Sequence, residues 1–290
     1  MLNINTNYAA AFATNAAKRT TASIETAMER LSTGSRINYS RDDAAGLAIA
    51  TRLNSEVQSL SAASRNAADA QSMLDTTDGA LAETHSVLIR MRELAVQAAN
   101  GTLDDTDRAA LDAEFQQLES EIDRINSNTS FAGVSLFDGS AKTFHIGTGN
   151  AVSDKVSHTF TSLASHNLDL DSAGPNNVVG GTTTDDVVRD LTSAANAQTM
   201  LGEIDAAIAT VSTERGKLGA LSNRLSSTVA NLDQIGVNLS SSKGRIQDAD
   251  FAAETSNLAK SQILQQAATA MLAQANASKG NVLSLSLIHI

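Results

Sequence analysis

The chain has 290 residues, a net charge of −11 and no Cys or Trp. An acidic chain offers phosphates no basic surface, which argues against nucleic acid as a partner, and the missing thiols exclude disulfides, cysteine-ligated zinc and thiol catalysis. Aromatics are only 3% and Pro occurs once, a composition suited to long helices meeting over thin, alanine-rich seams.

At the N-terminus, MLNINTNYAAAFATN carries no basic stretch ahead of an apolar run and so does not read as an ordinary secretory signal. No apolar run is long enough to predict a membrane span. Residues 5–31 place Ala9, Ala13, Ala16, Ile24, Ala27 and Leu31 at helical spacing, and Gly34 marks the stop. A polar link, residues 36–41, leads to Asp42 and Asp43. These read as caps of the next helix, since no other ligand spacing accompanies them.

Residues 44–99 predict one helix about 84 Å long at about 1.5 Å per residue. Every seventh position from Leu53 reads Leu53, Leu60, Ala67, Leu74, Leu81, Leu88, Ala95. Three places after each stand Glu56, Ala63, Ala70, Thr77, Thr84, Met91 and Ala98, mostly small or apolar. A repeat of this length keeps one narrow seam on one side of the helix and favours a left-handed coil with partner helices. It is too long for the centre of a globular domain and predicts a rod. Asn100-Gly101 ends it. A third helix follows, with Leu111, Phe115, Leu118, Ile122 and Ile125 at alternating four- and three-residue spacing. The short connection implies an antiparallel pair.

The periodicity then changes. Residues 134–137 and 142–146 around Asp138-Gly139 read as a short β-hairpin, and residues 156–161 add a further strand. Residues 163–186 are rich in Asn, Gly, Thr and Asp and read as loop. A fourth helix, starting around residues 185–194, carries Leu201, Ile204, Ile208, Val211, Leu218, Leu225, Val229, Leu232 and Leu239 on one register and matches the long helix in length. A last helix, 248–276, holds Phe251, Leu258, Ile263, Leu264, Met271 and Leu272, and the tail is apolar at Val282, Leu283, Leu285, Leu287, Ile288 and Ile290. The expected fold class is therefore mainly α: a long antiparallel, coiled-coil-like helical rod with a small β-hairpin insert. The first and last helices have few large anchors and need each other, or other copies of the chain, to be stable.

A search for chemistry finds none. The five His form no HExxH pair, GxSxG is missing, and Ile146-Gly147-Thr148-Gly149 reads as a hairpin turn and not a dinucleotide loop. The acidic residues Asp104, Asp105, Asp107, Asp112, Glu114, Glu119, Glu121 and Asp123 read as a solvated helix face. Neither an enzyme, a metal site nor a cofactor is expected.

Three stretches resemble one family. LSTGSRINYSRDDAAGLAIATRL (31–53) is similar to the N-terminal signature of bacterial flagellins, RMRELAVQAANGT (90–102) to their central helix, and GRIQ (244–247) with DADFAAETSNLAKSQILQQAATAMLAQAN (248–276) to their C-terminal signature. The last residues, Leu287-Ile288-His289-Ile290, depart from the family's usual ending. The resemblance implies a homo-oligomeric filament subunit for motility, secreted through the flagellar type III route. It further implies three parts: an inner core of residues 1–43 with 245–290, an outer helical rod of 44–130 with 190–244, and a small variable insert at 131–189. Implied partners are other copies of the chain, flagellar cap and hook-associated proteins, an export chaperone at the C-terminal segment, and the host Toll-like flagellin receptor. For that receptor the family's motif falls on Arg90, Leu94, Gln97 and Glu114, with Ile89 where the recognised form often carries Gln. Packing inside the subunit is assigned to Leu53, Leu60, Leu74, Leu81, Leu88, Leu118, Ile122, Leu201, Ile208, Leu225 and Leu232. The C-terminal core segment is assigned Phe251, Leu258, Ile263, Leu264, Val282, Leu283 and Leu285. Two alternatives remain open from sequence: a hook–filament junction protein, and a coiled-coil adaptor that never polymerises.

Overall fold

The structure, a computed structural model, describes residues 6–168, 170 and 190–287, with side chains up to Ser278 except that of His166. The Asn- and Gly-rich stretch at 171–189 and the side chains of Val282, Leu283 and Leu285 lie outside the described residues. The elements are α1 (Tyr8–Thr33), α2 (Ala44–Ala98), α3 (Asp105–Asn128), β1 (Ser130–Phe131), β2 (Val134–Ser135), β3 (Ala141–His145), β4 (Lys155–Thr159), α4 (Ala194–Gln247) and α5 (Phe251–Leu287). They divide into two compact units, one of residues 1–57 with 237–290 and one of residues 58–236.

In the first unit α1 pairs antiparallel with α5. Going along α1 from Asn7 through Thr21 to Arg30, the hydrogen-bonded partner on α5 runs back from Ala275 through Gln265 to Glu254. Where the two segments meet beyond α1, Gly34 and Arg36 bond the backbone of Ala249 and Gln247. Gly34 ends α1 in the left-handed conformation (φ 69°) that its sequence position predicts. The link of residues 36–42 is held by Asp42, which accepts from the backbone N–H of Asn38 and Tyr39 at 3.2 and 3.0 Å. These bonds, that of Tyr39 first, hold its carboxyl below the ordinary carboxylate range. The cap of α2 is Asp43 alone, through Gly46 N–H at 2.8 Å.

In the second unit α2 runs antiparallel to α4. Arg92, Asp78, Gln71 and Ser64 meet Asp205, Arg215, Ser222 and Asp233 in reverse order. Along α2 the positions at seven-residue spacing are buried from Leu53 to Ala95, as are Ala63, Ala70, Thr77, Thr84, Met91 and Ala98 between them, while Glu56 is exposed. The two buried threonines satisfy their hydroxyls on the carbonyls of Met73 and Ala80 one turn back. On α4, Leu225 and Leu232 are buried with Ile204, Val211 and Leu218, whereas Leu201 and Ile208 are half-buried at the edge. On α3, Phe115 and Ile122 are buried and Leu118 is half-buried against the same core.

The small strands differ from the sequence expectation. Residues 134–137 do not pair with 142–146. Instead β1 pairs with β2 across a two-residue turn, Ala132 (φ 49°) and Gly133 (φ 81°), the geometry that matches strand twist. β3 pairs with β4, Phe144 opposite Val156. The reason lies in Leu136 and Phe137, whose side chains drop into the core. Asp138 then folds the chain back on itself by accepting from Ser140 N–H and Oγ at 3.0 and 2.8 Å. Ile146 and Gly147 belong to the β3–β4 connection, both donating to Asp154 O.

The helix glycines make a testable contrast. A Cβ at Gly79 or Gly216 would meet nothing within 4 Å, so Gly79→Ala and Gly216→Ala should each stabilise the chain by about 0.5–1 kcal/mol. At buried Gly46 a Cβ would press on the capping carboxylate of Asp43 and come within 2.8 Å of Ile37 Cδ1. Gly46→Ala should therefore destabilise. Urea denaturation midpoints of the three variants would reveal any reversal of these signs.

Candidate functional site

α2 buries one seam and leaves the opposite face to solvent. Near its C-terminal end that open face carries Ile89 and Val96, 44% and 51% exposed, seven residues apart and hence on the same side. Arg90, Glu93 and Gln97 are exposed beside them. α3 supplies the neighbouring edge. Arg90 Nε and Nη2 both donate to Glu114 Oε1 at 2.9 and 2.7 Å, and Nη1 donates to Glu93 Oε2 at 3.0 Å. Glu114, and after it Glu93, hold the guanidinium above its ordinary value. This exposed pair contributes little to stability, but it fixes a planar cation in one orientation on the surface.

The structure thus brings Arg90, Gln97 and Glu114 onto one exposed surface and does not bring Leu94 there. Leu94 is 1% exposed and belongs to the core with Met91 and Ala95. Spacing alone places Leu94 beside the seam. Packing of α3 and α4 against two sides of α2 widens the buried stripe beyond the two heptad positions and takes Leu94 in.

Several polar residues that position this surface were hidden in what reads as a solvated acidic helix. Arg108 is buried, and its Nε and Nη2 donate to Ala98 O and Asn100 O, each at 3.0 Å. It therefore satisfies carbonyls left open at the C-terminal end of α2 and complements the helix dipole there. Asp112 accepts from Leu191 N–H at 2.9 Å, Asp123 from Ser165 N–H at 2.8 Å and Oγ at 3.0 Å, and Asn126 from Leu163 N–H at 2.8 Å. These side chains pin the segments that enclose Leu163, Leu168 and Leu191 in the core. On the insert, His158 Nε2 lies 2.9 Å from the buried carboxylate of Glu214 on α4, which also accepts from Lys217 at 3.0 Å. Asp104 caps α3 through Asp107 N–H at 2.8 Å. For Asp112 and Asn126 the signal is position, since they lie three and four residues from the buried Phe115 and Ile122.

The first unit offers a second surface. Among the described side chains, those buried on α1 are Ala13 and Ala27, and on α5 Ser261, Ala268 and Ala275, all small and at seven- or fourteen-residue spacing. Most of the large apolar side chains point outward: Tyr8, Phe12, Met28, Phe251, Ile263, Leu264 and Met271 are exposed, while Ile24, Leu31, Leu258 and Leu272 are half-buried. Among the described residues no three His, Asp or Glu side chains gather as a metal site would require, and no described helix is long and apolar enough to cross a membrane.

Residues 4–142 match the family model for the bacterial flagellin N-terminal helical region, and residues 201–286 match that for the C-terminal helical region. A flagellin of Halalkalibacterium halodurans is 41% identical over 89% of this chain and 90% of its own. A flagellin of Bacillus subtilis is 38% identical over 98% of this chain and 99% of its own. The fold is shared with a putative flagellar hook-associated protein from Vibrio parahaemolyticus, at a TM-score of 0.58 and 17% identity, covering 71% of this chain and 100% of that one.

Two arginines, one buried and one exposed, predict opposite costs. Arg108→Ala leaves two carbonyls at a helix end without their charged donor and should cost about 2–3 kcal/mol, whereas Arg90→Ala should cost less than about 1 kcal/mol. Equal shifts in the urea denaturation midpoint would contradict the roles assigned to them.

Proposed function

This chain belongs to the bacterial flagellin family and is a structural subunit of the extracellular flagellar filament, and from that premise we propose how its surfaces are used. Residues 1–43 with 245–290 form the filament's inner core. Residues 44–130 with 190–244 form the layer around it, and 131–189 is a small insert. The observation that carries this reading is the inverted character of the α1–α5 pair. Its seam is Ala and Ser, while Phe12, Met28, Phe251, Ile263, Leu264 and Met271 face outward. Covering a Phe, Ile, Leu or Met side chain contributes roughly 1.5–3 kcal/mol, so neighbouring copies supply the burial that a single copy lacks. Ile263→Glu combined with Met271→Glu should abolish filaments in electron microscopy of seeded or salted-out protein, with the circular dichroism of the monomer unchanged. Filaments that grow as readily as those of the parent would defeat the assignment, and assembly of the parent into dimers or trimers only would favour an adaptor.

The subunit before assembly is a ligand of the Toll-like flagellin receptor through the surface of Arg90, Gln97 and Glu114. Leu94 supports that surface from beneath and does not touch the partner. Support comes from the fixed orientation of Arg90 and from the apolar pair Ile89 and Val96 beside it. Arginine in such a setting is a frequent anchor of protein interfaces. The same surface packs against neighbouring subunits once the filament forms. The cap and hook-associated proteins meet the growing filament, and the export chaperone takes the C-terminal segment before assembly. Arg90→Ala should raise the half-maximal dose of monomer for receptor activation by about tenfold. An unchanged dose response sinks this role while leaving the filament reading untouched.

A further inference from the structure

The sequence holds a single Asn-Gly pair, Asn100-Gly101. It forms the turn between α2 and α3, and both residues are exposed to water. Asparagine is a thermolabile residue, and the route is general: the next backbone nitrogen attacks the side-chain amide carbon, most easily when that nitrogen belongs to a glycine with no Cβ in the way. A Cβ at Gly101 would meet nothing within 4 Å, so the turn is also open to the water that the later step needs.

What distinguishes this turn is the placement of its donors. The attacking nitrogen belongs to the peptide group whose oxygen is Asn100 O. When that nitrogen loses its proton, the negative charge spreads onto the oxygen. Arg108 Nη2 donates to that same oxygen at 3.0 Å, and Leu103 N–H reaches it at 3.4 Å. Arg108 is buried and held also on Ala98 O, so the cation is fixed in place before the charge develops. The electrophile is prepared as well. Thr102 N–H donates to Asn100 Oδ1 at 3.3 Å, which polarises the Cγ carbonyl and stands where the oxyanion of the tetrahedral intermediate forms.

We propose that Asn100 is a self-modifying residue, whose side-chain amide is displaced by the backbone nitrogen of Gly101 with Arg108 and Thr102 N–H stabilising the charge. The bond from Gly101 N to Asn100 Cγ forms and the bond from Cγ to Nδ2 breaks. Nδ2 leaves as ammonia, the proton released from Gly101 N being balanced by the one it takes up. A five-membered cyclic imide remains. Water then opens the imide at Cγ to give aspartate, or at the main-chain carbonyl to give isoaspartate. Nothing is oxidised or reduced, and the chain gains one negative charge. The aspartate product keeps an acceptor for Thr102 N–H and sets an anion beside Arg108. The isoaspartate product inserts an extra carbon into the main chain and displaces the carbonyl that Arg108 holds. A long-lived extracellular subunit would thus change in charge and turn geometry at the end of α2 as it ages.

The test follows the full folded chain over days in mildly alkaline heavy-oxygen water. Trypsin then releases the peptide of residues 93–108, since cleavage falls after Arg92 and Arg108. Its mass shows loss of ammonia with uptake of one heavy oxygen. A synthetic peptide of residues 93–108 under the same conditions gives the rate without the fold. The expected result is conversion of Asn100 in the folded chain at least as fast as in the peptide, falling about tenfold in Arg108→Lys, whose ammonium cannot keep both carbonyl contacts. Trypsin also cleaves after the introduced lysine, so the peptide boundaries are unchanged and the two chains compare directly. Slower conversion in the folded chain than in the peptide, or an unchanged rate in Arg108→Lys, overturns the proposal.

Discussion

Two helices can approach closely only where the side chains between them are small, and this constraint runs through both units of the chain. On α2 the seam alternates leucines with Ala, Thr and Met, so large residues from α3, α4 and the insert can fill the gaps. Phe115, Phe160, Ile122 and Ile204 enter this core and are buried. In the α1–α5 pair the same seven-residue spacing is occupied by Ala and Ser. There the helices touch, but the contact removes little apolar area from water. The spacing sets the geometry in both cases, and residue size at those positions decides how much burial the geometry delivers.

Burial in the second unit comes with polar obligations. A thin helical layer has many helix ends and connecting segments near its core, and each backbone group there needs a partner. Arg108, Asp112, Asp123 and Asn126 meet that need from one helix, α3, by reaching past its ends to Ala98, Asn100, Leu191, Ser165 and Leu163. α3 therefore acts as a bracket that fixes where α2 stops and where the segments around the insert enter the core. The exposed surface at Arg90 and the turn at Asn100 both depend on this bracket. Glu114 orients the first and Arg108 holds the second.

The long-range order of the fold was legible because a seven-residue repeat is a property of spacing, and spacing is visible in one dimension. The helix limits at Gly34 and Asn100-Gly101 were legible because the residues that stop a helix act locally. Strand pairing was not. Residues 134–137 alternate like a strand, but Leu136 and Phe137 are taken by the core, an outcome set by residues far away in sequence. Leu94 was assigned to a surface by the family resemblance, and heptad counting, which sees one partner where the chain gives α2 two, left it beside the seam without marking it as core. The acidic residues of α3 looked solvated because a carboxylate facing a backbone N–H across a fold carries no mark in the sequence; only adjacency to Phe115 and Ile122 hinted at it.

The contrast between the two seams carries a thermodynamic consequence for assembly. A unit whose leucines and phenylalanines face inward gains its burial within one chain and keeps it at any concentration. A pair whose seam is Ala and Ser, with Phe12, Phe251, Ile263 and Met271 outside, buries little within one chain, so burial of that face by other copies would link its stability to their concentration. On the reading proposed above, polymerisation buries the outward face of the α1–α5 pair. A subunit built this way has a stable part that can be made and handled as a monomer. On that reading it also has a part whose apolar burial is completed only in the filament.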